Sequence, residues 1–132
     1  MSRMRGGMGA AMDSGPAIVG RYFDALVAHR WEDVAATLAS HVVRLGPYQD
    51  DIRGRDEYIA FLRATFEWMQ DYEMEIARVW GDDTRVCAEL AETVTLDSTR
   101  LRTEEAIVFE LADGCVTQVA VYLRRSTRAP AS

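Results

Sequence analysis

The sequence predicts a single α+β domain in which helices come first and long strands come last. Apolar residues recur at helical spacing as far as Met69, and from Tyr72 onward they alternate with a period of two. Short clusters of turn-forming residues separate the later strands, so consecutive strands should pair antiparallel. The helices should therefore pack on one face of a curved, mainly antiparallel sheet.

Length and composition set the broad class of this protein. A chain of 132 residues has the size of one domain. Its net charge of −6, with acidic and basic residues interspersed, argues against a nucleic-acid partner. No apolar stretch approaches the roughly 20 residues that cross a bilayer, and the glycine-rich start lacks the apolar segment of a signal peptide. We expect a cytoplasmic protein with no membrane partner, whose domain spans residues 16–126 between tails at 1–15 and 127–132.

Three helices are predicted in the first half of the chain. Pro16, just after Ser14, indicates the start of the first, because proline at the first helical position loses no needed hydrogen bond. Glu32 and Asp33 favour the first turn of the second. The apolar stripes are Ile18, Val19, Tyr22, Phe23, Leu26 and Val27 in the first helix, Trp31, Val34, Ala35 and Leu38 in the second, and Tyr58, Phe61, Leu62, Thr65, Phe66 and Met69 in the third.

A short strand over residues 41–45 and four long strands complete the prediction. Gly46-Pro47 ends the short strand, which should lie at an edge or a bend of the sheet. The long strands are predicted at residues 72–80, 85–96, 102–111 and 115–124. The last two are apolar on both faces, and helices can cover only one face. We therefore expect a homodimer in which a second copy covers the other face.

Histidine and cysteine are too few and too scattered to predict a metal site. Cys87 and Cys115 lack the paired spacing of zinc ligands and should be small buried residues. His29 and His41 are the only histidines. We expect neither a metal nor another cofactor.

Three segments carry a resemblance to a known superfamily. They are residues 20–47, which include Gly20-Arg21-Tyr22-Phe23-Asp24-Ala25-Leu26, then 52–59, with a glycine before the third helix, and 106–116. In this order they resemble the nuclear transport factor 2 superfamily, which includes SnoaL-like polyketide cyclases and ketosteroid isomerases. The resemblance implies a cone-shaped fold, with three N-terminal helices packed on a curved mixed, mainly antiparallel sheet that encloses an apolar pocket.

The same resemblance assigns family roles to particular positions. The tyrosine that donates to the oxyanion in ketosteroid isomerases falls on Tyr22, whereas their general-base aspartate falls on Gly46. Their protonated aspartate falls near Ile107. The acid often found in the final strand of SnoaL-like cyclases falls at residues 123–125, which are leucine and two arginines. The tyrosine is therefore the one family group that this chain retains.

Two glutamates interrupt otherwise apolar strand faces and are candidate catalytic acids. Glu92 shares its face with Val86, Ala88, Leu90, Val94 and Leu96, and Glu105 shares its face with Ile107, Phe109 and Leu111. An apolar pocket raises the pKa of a carboxyl group, which makes it a usable acid or base near neutral pH. The alternatives are a structural ion pair with Arg44 or Arg78, or a bulge that turns the side chain outwards.

Tyr22 completes the predicted catalytic set as a hydrogen-bond donor to a ligand carbonyl, unless it is only a core tyrosine. Asp50 and Asp51 could reach the mouth of the pocket or be solvated loop residues. The predicted substrate-binding residues are Phe23, Arg44, Tyr58, Phe61, Phe66, Arg78 and Trp80.

Three functions remain compatible with these residues. The first is an isomerase, cyclase or lyase that acts without a cofactor on a hydrophobic carbonyl compound resembling a polyketide or a steroid. The second is a non-catalytic protein that binds a small hydrophobic molecule. The third is a dimeric interaction module whose pocket is filled by its own side chains.

Overall fold

A computed structural model describes residues 13–129, which form three helices and one six-stranded sheet. The predicted tails lie mostly outside the described residues. The helices are α1 (Gly15–Val27), α2 (Trp31–Ala36) and α3 (Arg55–Trp68). The strands are β1 (Leu38–Leu45), β2 (Ile52–Arg53), β3 (Gln70–Gly81), β4 (Arg85–Leu96), β5 (Thr99–Ala112) and β6 (Cys115–Arg128). β6 thus continues past the predicted end of the domain, and no helix in the described part is long and apolar enough to cross a membrane.

α1 begins where the sequence predicts, and one of its tyrosines points into the interior. The Ser14 hydroxyl accepts a hydrogen bond from the backbone N–H of Ala17 at 3.2 Å, and Pro16 occupies the first turn. The apolar stripe of α1 is buried against the sheet except for Val27, which is exposed, so Tyr22 and Phe23 both point inwards. Burial of this stripe is the main stabilising contribution of the helix.

The residue immediately before α3 is a glycine whose backbone conformation other residues rarely adopt. Gly54 has a φ of 97°, in the region where a Cβ would be strained. Asp56 and Glu57 then occupy the first turn, where the helix dipole favours negative charge. The inner side of the helix buries Tyr58 and Leu62, which places the Tyr58 hydroxyl opposite α1.

The strand order in the sheet is β2-β1-β6-β5-β4-β3. β1 pairs parallel with β6, and every other neighbouring pair is antiparallel, as expected for a mixed sheet. Of the two predicted alternatives, an edge or a bend, the edge is wrong, because β1 lies between β2 and β6, whereas the register of β1 against β6 shifts between Leu38 and Val43, as a bend would require. The two-residue β2, which forms this edge, is too short to leave an alternating pattern in the sequence.

The inner face of the sheet continues the hydrophobic core of the helices. On β4 and β5, Val86 faces Phe109 and Ala88 faces Ile107 across the ladder, and all four side chains are buried. Farther along the same face, β4 carries Glu92 and β5 carries Glu105, as their alternation with apolar residues predicts. One end of this face is therefore apolar core and the other is polar.

An irregularity in β3 reverses which side chains of its second half point inwards and which point outwards. Ile76 pairs with Leu90, but Arg78 pairs with the next residue, Glu89, so β3 has one residue more than β4 at this point. Such a bulge exchanges inward and outward positions beyond it. Arg78 and Trp80, which were predicted to bind substrate, therefore lie on the outer face, whereas Met74, before the bulge, faces inwards.

Candidate functional site

A pocket of about 330 Å³ lies between α1, α3 and the polar end of the inner face. This volume is at the lower end of the range for small-molecule sites. Exposed Tyr48 and Trp68 lie among its lining residues. The lining side chains are Tyr22, Leu26, Arg44, Pro47, Tyr48, Asp50, Tyr58, Phe61, Leu62, Thr65, Phe66, Trp68, Met69, Tyr72, Met74, Glu92, Val94, Thr103, Glu105, Ile107, Val119, Val121 and Leu123.

Two tyrosine hydroxyls meet on the helical side of the pocket. The Tyr22 and Tyr58 oxygens are 2.6 Å apart, and both side chains are buried. Burial raises the pKa of both phenols, and for Tyr22 the nearby Tyr58 raises it further. Both therefore stay protonated, and because one proton lies between the two oxygens, the other is available to a ligand acceptor.

Two carboxyl groups meet on the sheet side. The Glu105 side chain is only 7% exposed, and its Oε1 has no hydrogen-bond partner among the described residues. Burial, followed by the neighbouring Glu92 carboxyl, raises the pKa of Glu105 to about 10. Glu105 therefore keeps its proton at neutral pH and can donate a hydrogen bond to the neighbouring Glu92 carboxyl group.

Tyr72 on β3 holds Glu92 in place. Its hydroxyl donates a hydrogen bond to Oε2 of Glu92. Burial, and then the charge of Glu92, raise the pKa of Tyr72, so the phenol remains a donor. The Tyr72 ring packs edge-on against Phe66, with ring centroids 4.8 Å apart. This contact fixes both the aromatic wall of the pocket and the donor to Glu92.

Arg44 and Asp50 form an ion pair in the pocket lining. The Arg44 guanidinium is 3.2 Å from Oδ2 of Asp50, and its Cζ lies 4.6 Å from the centre of the Phe61 ring. The Asp50 carboxyl packs against the backbone of Gly46 so closely that a Cβ at position 46 would overlap it. A glycine at this position thus makes room for the side chain of Asp50, whereas Asp51 is exposed and does not line the pocket.

Comparison with known families identifies the family to which this chain belongs. The model of the SnoaL-like domain matches residues 19–119, which is most of the chain. This protein belongs to the SnoaL-like domain family. The match covers all the elements that build the pocket except the end of β6.

Solved structures agree with the SnoaL-like assignment at the level of the fold. A provisionally named ketosteroid isomerase from Kribbella flavida is 27% identical, with a TM-score of 0.70 and coverage of 92% of this chain and 87% of that one. An LEH-like epoxide hydrolase from M. tuberculosis is 24% identical, with a TM-score of 0.73 and coverage of 83% and 82%. A provisionally named SnoaL-like polyketide cyclase from Jannaschia is 21% identical, with a TM-score of 0.73 and coverage of 81% and 83%. No curated protein matches significantly.

The pocket of this SnoaL-like domain contains seven of the ten predicted site residues, and their roles stay predictions. Those in its lining are Tyr22, Arg44, Tyr58, Phe61, Phe66, Glu92 and Glu105. Phe23 is not among them, because it packs edge-on between Tyr22 and Phe109 in the core, with centroid distances of 5.3 and 5.6 Å. Arg78 and Trp80 both donate to Glu89 on the outer face, where the β3 irregularity directs them.

The structural ion pair considered for the two acids is not formed. Within residues 13–129, neither Glu92 nor Glu105 lies in a salt bridge, since Arg44 pairs with Asp50 and Arg78 with Glu89. The described chain also contains no group of three acidic, histidine or cysteine side chains that could hold a metal ion. Cys87 and Cys115, expected to be buried, are free thiols and only partly buried.

Among the polar lining residues that sequence reasoning did not assign to the site, Tyr72 and Thr103 lie on the inner face of the sheet. Thr103 faces Glu92 directly across the β4–β5 ladder, so its inward orientation follows from the same alternation that identified Glu105. Tyr72 lies two residues before the inward-facing Met74 in the same strand, so alternation places both on one face. The alternation therefore contained a signal for both residues, whereas the Tyr72–Glu92 hydrogen bond depends on strand pairing.

Proposed function

We propose that this SnoaL-like domain is a cofactor-independent isomerase, cyclase or lyase that acts by acid–base chemistry on a hydrophobic carbonyl compound. The observation that supports it is the meeting, in one pocket, of a pair of hydroxyl donors with two neighbouring carboxyl groups, of which Glu105 stays protonated. Two acidic groups whose environments separate their pKa values are a common source of paired acid and base roles.

In the proposed reaction the substrate carbonyl oxygen accepts a hydrogen bond from the Tyr22–Tyr58 pair. Glu92 takes a proton from the carbon next to the carbonyl, and the C–H electron pair moves into an enolate whose oxygen the hydroxyls stabilise. Glu105 donates its proton to the carbon or leaving oxygen that completes the reaction. Glu92 then returns its proton to Glu105, which restores the starting state of both acids.

The sheet acids are better suited to this role than Asp50. The Asp50 carboxyl already accepts hydrogen bonds from Arg44 and from the backbone N–H of Tyr48. Both oxygens of the Asp50 carboxyl are therefore already engaged by donors of the chain itself. The Glu92–Glu105 pair faces the pocket without a cation bound to either acid among the described residues.

The test is exchange of carbon-bound protons for deuterium in heavy water, followed by NMR, with α-tetralone as the probe ketone. Wild type should accelerate exchange, and the double variant Glu92→Gln, Glu105→Gln should slow it by about a hundredfold or more. The matched control is Glu73→Gln, Glu75→Gln, which removes two exposed acids of β3 and should exchange like wild type. Equal rates in wild type and the pocket variant would contradict acid–base catalysis by these residues.

A non-catalytic binding protein is the second candidate. Gly46, at the position of the family base, favours it, because no side chain there can take a proton. If wild type retains α-tetralone or a co-purified hydrophobic molecule but does not accelerate exchange, this function replaces the first.

The homodimer predicted from the last two strands stays a prediction. Tyr122 on β6 is 60% exposed on the outer face, which a second copy would cover. Sedimentation equilibrium should give twice the chain mass of 14.8 kDa, and Tyr122→Arg should shift the equilibrium towards the monomer. A wild-type monomer at micromolar concentration would contradict it.

A further inference from the structure

The pocket reaches the protein surface at two aromatic side chains. Tyr48 is 75% exposed and Trp68 is 57% exposed, and both line the pocket. Every other lining side chain of the described chain is buried or only partly exposed. A single exposed ring needs no explanation, but two rings that line one pocket form an apolar surface continuous with its wall. Tyr48 and Trp68 therefore mark the mouth of the pocket.

The backbone that carries each of these rings is held by other contacts. The N–H of Tyr48 donates to Oδ1 of Asp50 at 3.1 Å, and Oδ2 of the same carboxyl lies 3.2 Å from the Arg44 guanidinium. Asp50 thus ties the loop between β1 and β2 to β1. Trp68 is the last residue of α3, so the helix fixes the position of its Cα. Rings presented from an ordered backbone bind a ligand at a lower entropic cost than rings on a mobile loop.

The interior of the pocket is too small for a large ligand. Its volume of about 330 Å³ is at the lower end of the range for sites that bury most of a drug-sized molecule. The hydroxyls of Tyr22 and Tyr58 lie at its buried end, whereas Tyr48 and Trp68 lie at its exposed end. A ligand that reaches the two hydroxyls and is longer than the pocket must place its other end at the mouth.

We propose that Tyr48 and Trp68 form a second binding subsite, which selects ligands that are longer than the pocket and have a flat apolar group at their outer end. The faces and edges of aromatic rings attract other flat rings beyond the effect of the apolar area that they bury. The proposal rests on the proposed use of the pocket as the ligand site, and it adds a requirement of length and shape to the substrate.

The other exposed aromatic residues belong to a different surface. Trp80 and Tyr122 lie on the outer face of the sheet, where the Trp80 indole donates to Glu89 and lies 5.7 Å from the Arg78 guanidinium. A second copy bound to that face would cover Tyr122, whereas the mouth opens on the helical side of the sheet. The predicted homodimer would therefore leave the mouth open to a ligand.

Three ketones test the subsite by titration calorimetry: α-tetralone and its derivatives with a phenyl or a cyclohexyl group on the aromatic carbon para to the carbonyl. The added group points away from the carbonyl, so it extends towards the mouth when the carbonyl is at the tyrosine hydroxyls. Wild type should bind the phenyl ketone about tenfold or more tightly than α-tetralone. It should also bind the phenyl ketone about threefold or more tightly than the cyclohexyl ketone, whose outer ring is not flat.

Substitutions at the mouth should remove this preference for the phenyl ketone. Trp68→Ala and Tyr48→Ala should each reduce it to about threefold, and the double variant should abolish it while it keeps α-tetralone affinity within about twofold. Trp68→Phe keeps a flat ring and should retain most of the preference. The matched control Trp80→Ala removes a tryptophan of similar exposure, 51% against 57%, and should bind all three ketones like wild type. Exposed side chains contribute little to stability, and thermal melting confirms that each variant is folded.

Equal wild-type affinities for α-tetralone and the phenyl ketone would overturn the proposal, as would the same preference in the double variant or failure of all three ketones to bind at their solubility limits. If the double variant binds the ketones like wild type but its mass in sedimentation equilibrium shifts from dimer towards monomer, the two rings contact a second copy and not a ligand. If proton exchange fails while the preference holds, the proposed catalysis is wrong and the subsite stands. If exchange holds without the preference, only the subsite is wrong.

Discussion

Glu104 and Glu105 are consecutive residues of β5, yet they lie in opposite electrostatic environments. Glu104 is on the outer face and accepts hydrogen bonds from Arg102, Arg124 and Arg125. The bond from Arg125, followed by that from Arg102, lowers the pKa of Glu104. Glu105 is on the inner face, has no cation within salt-bridge distance among the described residues, and has a raised pKa.

The difference shows that strand alternation determines the chemistry of an acid as strongly as residue type does. On the outer face, solvent and three guanidinium groups favour the charged carboxylate. On the inner face, desolvation and a second carboxyl group favour the protonated form. A protein can thus place an ionised surface acid and a neutral pocket acid side by side in one strand. The following predictions test this contrast, from the largest expected effect to the smallest.

Glu92→Gln should have the largest effect, because it removes the carboxylate proposed as the base. Exchange of the α-protons of a bound ketone should slow by about a hundredfold. Stability should change little, since the glutamine amide can still accept the Tyr72 hydrogen bond. NMR exchange and thermal melting measure the two quantities. A large loss of stability with unchanged exchange would instead make Glu92 a structural residue.

Glu105→Gln should change how stability depends on pH. The pKa of Glu105 is about 10 in the folded protein and has its ordinary value near 4.5 in the unfolded chain. Between these values the folded state holds a proton that the unfolded state has released. The free energy of unfolding therefore falls as pH rises, by up to about 1.4 kcal/mol per pH unit for this one proton.

The glutamine variant lacks this proton and should lose that slope. Urea unfolding at about pH 5 and about pH 9 should show wild type losing more stability than the variant between the two conditions. The same pH dependence in both proteins would mean that Glu105 is ionised when the protein is folded.

Tyr58→Phe should have a smaller effect on the same pocket. It leaves the buried Tyr22 hydroxyl without its partner, which should cost about 1 kcal/mol of stability. Exchange should slow by about tenfold, because Tyr22 can still donate to the carbonyl oxygen. Unchanged exchange in Tyr58→Phe and Tyr22→Phe alike would exclude the hydroxyl pair from the reaction.

Glu104→Gln should have the smallest effect, although this acid contacts three arginines. Its ion pairs lie at the surface, where water and salt screen them. The melting temperature should change by about 2 °C or less at physiological salt, and exchange should stay at the wild-type rate. A loss of exchange here would show that the two faces of β5 are coupled.

The sequence by itself determined the helices, the long strands and the face on which the two glutamates lie. Each of these depends on local spacing, since a helix repeats every 3.6 residues and a strand every two. Glu92 and Glu105 interrupt apolar faces in the sequence and lie on the inner face of the folded sheet.

Tertiary structure decided the features that depend on pairing between distant segments. The extra residue in β3 reverses the positions of Arg78 and Trp80, and it can be seen only in the register with β4. The Tyr22–Tyr58 pair joins residues on two helices, and the Asp50 carboxyl occupies space that Gly46 leaves open. Spacing along a chain specifies which way a side chain points relative to its neighbours, but its partner is set by the packing of elements that the local pattern does not encode.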